Sequence, residues 1–165
     1  MKVSVARAVR AGWQPSSRQL GAWAQAAVGR AGEAAGLELS VLIAGPARSR
    51  RLNAHYRGLD HATNVLSFPM PTQALRGASA PVRLLGELVI CPAILRREAR
   101  AQRKPLRAHW AHMVVHGVLH LIGLNHERTA QARRMERREV RVLRRLGFPN
   151  PYRTIARSPA RNGNG

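Results

Sequence analysis

At 165 residues and 18.2 kDa, with 45% hydrophobic and 22% charged residues, the chain has the composition of about one globular domain. No apolar run approaches the roughly 18 residues that would span a bilayer, which excludes a membrane protein. Lys+Arg 28 against Asp+Glu 8 leaves a net charge of +20, nearly all of it on arginine. That excess points to a polyanionic partner, nucleic acid above all, although a GC-rich genome inflates arginine too. The single cysteine, Cys91, excludes an internal disulfide and any Cys-x-x-Cys site, so a bound metal must rely on histidine. Near the N-terminus, Val3, Val5 and Val9 are interrupted by Arg7 and Arg10, which breaks the apolar core of a signal peptide; the expected location is cytoplasmic.

Taken in chain order, Lys2 to Val9 alternates and predicts a strand. Ser16 or Ser17 caps an Ala-rich helix running to about Gly32, with Leu20, Trp23, Ala24, Ala27, Val28 and Ala31 on one face. Leu37 to Ile43 predicts a second strand closed by Gly45-Pro46, and a short helix passes through Leu52 and Tyr56. Asn64 to Phe68 and Leu84 to Ile90 predict two further strands, separated by a loop over Pro71 to Pro81. Three helices follow: Ala93 to about Lys104, Leu106 to about Leu121 before Gly123, and Ala130 to Leu146 before Gly147. The last carries Met135, Val142, Leu143 and Leu146 as its apolar stripe, with Arg133, Arg134, Arg137, Arg138, Arg141, Arg144 and Arg145 on a solvated or RNA-facing side. The expected class is α+β: one domain over 1–152, with about four strands and about five helices, followed by a disordered basic tail over 153–165.

The chemistry gathers in one segment. His116 and His120 are four residues apart, about 400° of helix rotation, so they lie one turn apart on one face and can reach a single ion. Gly123 permits the left-handed turn that brings His126 back toward the same point. Three nitrogen ligands suit a tetrahedral Zn²⁺, one per chain, and leave a fourth position for water, the pattern of catalytic zinc. His109 and His112 lie on the same face, all four histidines falling within about 80°, so the face alone does not choose the ligands. The glycine stop followed closely by another histidine favours His116, His120 and His126, leaving His109 and His112 as supporting or substrate-facing groups. The spacing is also that of the metzincin proteases, His-Glu-x-x-His-x-x-Gly-x-x-His, except that their general-base glutamate is replaced by Gly117. A peptidase needs that carboxylate; a phosphodiester is less demanding of it.

Three blocks in order carry a family resemblance: Leu52 to Pro69, Leu85-Gly86-Glu87, and His112 to His126. Together they resemble the YbeY family of single-strand-specific metallo-endoribonucleases, over roughly residues 3–148. The resemblance implies a small mixed sheet with the ligand helix buried behind it. It also implies activity in 16S rRNA 3′-end maturation and ribosome quality control. The implied partners are single-stranded RNA, the small ribosomal subunit, its proteins and an assembly GTPase. By position it puts the zinc ligands on His116, His120 and His126, with water at the metal as nucleophile or base, and a phosphate contact on Arg57. His112 becomes a further substrate-facing group. Glu87 stands where the family has Asp, and Asn125 where Asp precedes the last ligand; with Asp60 and His109 they are candidate acid, base or ligand-orienting groups. The alternative reading is a non-catalytic zinc-containing assembly factor that binds rRNA, for which a fourth protein ligand is needed and Cys91 is the only thiol.

Overall fold

The computed structural model describes residues 1–29, 36–70, 83–124 and 129–153. Four strands form one mixed sheet in the order β1-β2-β4-β3: β1 (Lys2–Arg7), β2 (Leu37–Ile43), β3 (Val65–Pro69) and β4 (Arg83–Ile90). β1, β2 and β4 run parallel, and β3 pairs antiparallel to β4 along its outer edge. Among the described residues five helices pack with the sheet: α1 (Ser17–Val28), α2 (Pro46–Arg57), α3 (Pro92–Ala101), α4 (Leu106–Leu121) and α5 (Thr129–Arg145). This is the expected α+β domain with four strands and five helices.

Strand alternation sorts the core into two layers. Leu39, Val41, Ile43, Val65, Leu88 and Ile90 face α1 and α4, whereas Leu42, Leu66, Phe68 and Val89 face Leu52 of α2. α4 is apolar around most of its circumference, so it can only be a buried helix. It lies against β3 and β4, flanked by α1, α3 and α5, with Trp110, Val114, Val115, Val118 and Leu119 fully buried. Each such side chain contributes about 1.5–3 kcal/mol from water exclusion, which anchors the helix that carries the histidines.

The helix and strand ends differ from the expectations for local reasons. β1 stops at Arg7, not Val9, because the Arg7 guanidinium bonds Gln14 Oε1 and the Pro15 carbonyl and draws the chain into a turn. Ser16 is the cap of α1 and forms a reciprocal capping box with Gln19, but the helix closes at Gly29, short of Gly32. α3 ends at Ala101, since the chain reaches a positive φ at Arg103 and then Pro105. The loop expected over Pro71 to Pro81 lies outside the described residues, as does 154–165. The domain boundary expected at 152 falls where Tyr152 is still tied to α5, as shown below.

The two ends that matter for the site follow one rule. At the end of α4, Gly123 (φ +87°) donates to the His120 carbonyl and Leu124 donates to the Leu119 carbonyl. The last turn is thus closed by a Schellman pair, and the chain reverses directly after His120. α5 ends in the same way: Gly147 bonds Arg144 O and Phe148 bonds Leu143 O. The returning segment packs Phe148 edge-on against Trp23, 5.8 Å between ring centres, and carries Pro149, Pro151 and Tyr152 back across α4 and α5.

Candidate metal centre

α4 presents four histidines in a row, with ring centres 6.4 Å apart for His109 and His112, 6.3 Å for His112 and His116, and 4.6 Å for His116 and His120. Only the last pair brings nitrogens together: His120 Nε2 stands 3.2 Å from His116 Nε2. Two nitrogens each about 2.0–2.1 Å from a tetrahedral ion lie about 3.3 Å apart, so the pair already has the spacing of two zinc ligands. His126 and Asn125 lie outside the described residues, and among the described residues no cluster of three potential ligands is present.

What fixes the pair is a residue that none of the sequence motifs includes. Glu139 of α5 is fully buried, and its Oε1 accepts a 2.7 Å hydrogen bond from His116 Nδ1. That contact places the proton on Nδ1 and leaves Nε2 with a lone pair toward His120, the carboxylate–histidine arrangement that orients a metal-binding imidazole. The other oxygen, Oε2, accepts from the Tyr152 hydroxyl and stands 3.5 Å from His112 Nε2. Burial alone would raise the carboxyl pKa, but the His112, His116 and Tyr152 contacts outweigh it and hold the group at about 2. Tyr152 is shifted the opposite way: burial and the hydrogen bond to Glu139 raise its pKa and keep the phenol protonated. The one sequence signal for Glu139 is its register, since it lies on the stripe of Met135, Val142 and Leu143 where an apolar residue is expected.

A second carboxylate serves the other end of the row. Glu98 of α3 accepts from Asn64 Nδ2 at 3.0 Å and pairs with His109 Nε2 at 2.8 Å. Burial would raise its pKa; the bonds to His109 and Asn64 lower it and keep the carboxylate charged. His109 is therefore held against α3, two turns from the Nε2 pair. Cys91, the thiol a closed structural site would recruit, is buried at the head of α3, where its N–H donates to Asn64 O.

The remaining candidates are dispersed. Arg57 ends α2, which packs on the sheet face away from α4, and it is exposed. Asp60 is taken up by an exposed bidentate pair with Arg50, 2.6 Å on each branch. Glu87 is exposed on β4, one residue out of phase with Leu88, which faces α4. The structure thus brings His109, His112, His116 and His120 into one row and leaves Asp60 and Glu87 apart from it.

Gly117 has its own explanation. A Cβ there would meet Leu88 Cδ2 at 2.7 Å and Ser67 Oγ at 3.1 Å, and the Ser67 hydroxyl donates to the Gly117 carbonyl at 3.2 Å. Position 117 faces the sheet, so a glutamate could not be housed there without moving α4. Both the sequence and the packing therefore oppose a metzincin-like peptidase.

Comparison with known proteins identifies the family and the fold. The family model described as Endoribonuclease YbeY matches residues 11–147. A curated protein of Alkalilimnicola ehrlichii, named Endoribonuclease YbeY, is 46% identical over 153 residues, covering 93% of this chain and 90% of that protein. The solution structure of TM1509 from Thermotoga maritima has the same fold, with a TM-score of 0.53 at 21% identity over 92% of this chain and 99% of the other.

Proposed function

The chain belongs to the YbeY endoribonuclease family, and from that premise we propose that it is a zinc-dependent endoribonuclease that cuts single-stranded RNA in the cytoplasm. The single observation that carries the reading is the 3.2 Å approach of His116 Nε2 and His120 Nε2, with a buried carboxylate behind one of them. His116 and His120, completed by His126, would hold the ion. Bound there, Zn²⁺ supplies positive charge against a scissile phosphate and increases the acidity of water. Glu139 keeps the His116 proton on Nδ1, and Tyr152 with His112 keeps Glu139 in place. Arg57 supplies a guanidinium fork to a phosphate of the bound strand. The setting we assign is 16S rRNA 3′-end maturation and ribosome quality control on the small subunit, among its proteins and an assembly GTPase. The net charge of +20 suits such a polyanionic substrate.

The test is cleavage of matched single-stranded and duplex RNA by metal-loaded and metal-stripped protein, with His116→Ala as the control for contaminating nuclease. Cleavage of the single strand that needs metal and is abolished in the variant is the expected result. Arg57→Ala should keep metal content and melting behaviour while cleavage falls, with Arg57→Lys restoring only part of it. Normal metal content in His116→Ala would overturn the ligand assignment, cleavage unaffected by stripping would overturn the metal dependence, and no cleavage by the metal-loaded wild type would favour the non-catalytic assembly factor.

A further inference from the structure

A cavity of about 300 Å³ opens beside the histidine row, at the start of α4. Its lining is apolar where Pro105, the residue before α4, and Ala108 of α4 are joined by Pro149 and Pro151 of the returning C-terminal segment. His109 and His112, both buried residues, complete the wall. Among the described residues, Nδ1 of each ring has no hydrogen-bond partner. Buried polar atoms are ordinarily paired, so unused hydrogen-bonding capacity lies just behind the cavity lining. For His109, Nε2 donates to the Glu98 carboxylate at 2.8 Å, so that in the singly protonated ring Nδ1 is an acceptor. Two cationic side chains, Lys104 and Arg153, stand in the same lining.

A free phosphate or sulfate is a poor occupant, because apolar walls and an acceptor nitrogen offer it nothing in the interior. A planar ring with apolar faces, N–H donors on its edge and an anionic tail at the cationic rim matches each part. We infer that this cavity is a nucleobase subsite, taking one unpaired base of the RNA strand, with the phosphate of that nucleotide directed to Lys104 and Arg153. The inference rests on the endoribonuclease reading for the identity of its ligand. It also deepens it, since a base engaged in a duplex cannot enter, and the subsite adjoins the candidate centre through His112, whose ring lies 6.3 Å from that of His116. Such a pocket, offering stacking surfaces and acceptors for base N–H groups, selects single strands by geometry.

The experiment is calorimetric titration of the full chain, with and without metal, using adenosine 5′-monophosphate, cytidine 5′-monophosphate, ribose 5-phosphate and inorganic phosphate. The two nucleotides should bind one per chain, and the two base-free probes should bind at least roughly tenfold more weakly. Ala108→Phe, which fills the cavity, should weaken nucleotide binding by roughly tenfold, and the exposed Arg153→Ala by a few fold. Thermal melting checks that Ala108→Phe is folded, and Arg153→Ala provides a second reading where it is not. Equal binding of ribose 5-phosphate, or nucleotide affinity unchanged in a folded Ala108→Phe, would overturn the subsite. Nucleotide binding without RNA cleavage by the wild type would leave the subsite standing and remove the nuclease reading. Cleavage without nucleotide binding would do the reverse.

Discussion

At the scale of single residues, Glu139 shows how the orientation of the His116 and His120 pair depends on a group outside every motif. Its carboxylate fixes one tautomer of His116, and with Tyr152 it ties the C-terminal segment to α5. Glu139→Gln keeps the shape and one acceptor oxygen but removes the charge opposite the imidazole. Zinc affinity, measured by competition with a chromophoric chelator, should fall about 10–100-fold, and the melting temperature without metal should also fall at neutral pH, because the folded state holds the carboxylate charged. Undiminished affinity would show that His116 needs no such support. The sequence made half of this arrangement legible. His116 and His120 follow from a spacing of four, because helix geometry alone superposes them. Glu139 was hidden among arginines, and only the question of why an acid occupies an apolar register could have found it. Asp60 illustrates the converse: in sequence it is a candidate helper, but a nearby guanidinium takes up both of its oxygens.

At the scale of elements, α4 is the part of the fold that the residue pattern determines most strongly, for its apolar circumference permits one environment only. Its approach to β3 and β4 is set by Gly117, where Leu88, Ser67 and Val65 leave no room for a methyl group. Gly117→Ala brings two opposed effects. Alanine gains about 1 kcal/mol in helix propensity over glycine, whereas overpacking costs about 1–3 kcal/mol. The expected net loss is about 1 kcal/mol, seen as a melting temperature lower by about 2–4 °C. A stabilised variant would mean that α4 can recede from the sheet without cost. Strand and helix identity was readable here because alternation and 3.6-residue spacing are local properties. The ends were less so, since they were decided by groups distant in sequence or by single φ angles: Arg7 reaching Gln14, and Arg103 adopting a positive φ. The path of 148–153 depends on the partners it meets, Trp23 and Glu139, and no local pattern announces them.

At the scale of the whole molecule, eight acidic residues cannot neutralise twenty-eight basic ones. Of those acids, Glu139 and Glu98 are committed to histidines, and Asp60 and Glu38 to Arg50 and Lys2. The outer side of α5 is where the surplus is densest: Arg133, Arg137 and Arg141 follow one another at intervals of four, all exposed, on the face opposite Met135, Glu139 and Leu143. A row at that interval rises about 6 Å per step along the helix, a regular ladder of guanidinium groups available to a phosphate chain. None of the three reaches the buried face, so replacing them by glutamine should leave melting behaviour and metal content as they are. RNA affinity should respond through counterion release. For a single strand, each guanidinium–phosphate pairing accounts for roughly 0.7 in the slope of log affinity against log salt concentration, so the triple variant should be shallower by about 2. The measurement is fluorescence anisotropy on one labelled single strand over a salt series. A slope equal to that of the wild type would assign the row to solvent and leave the cavity at the start of α4 and Arg57 to account for RNA binding.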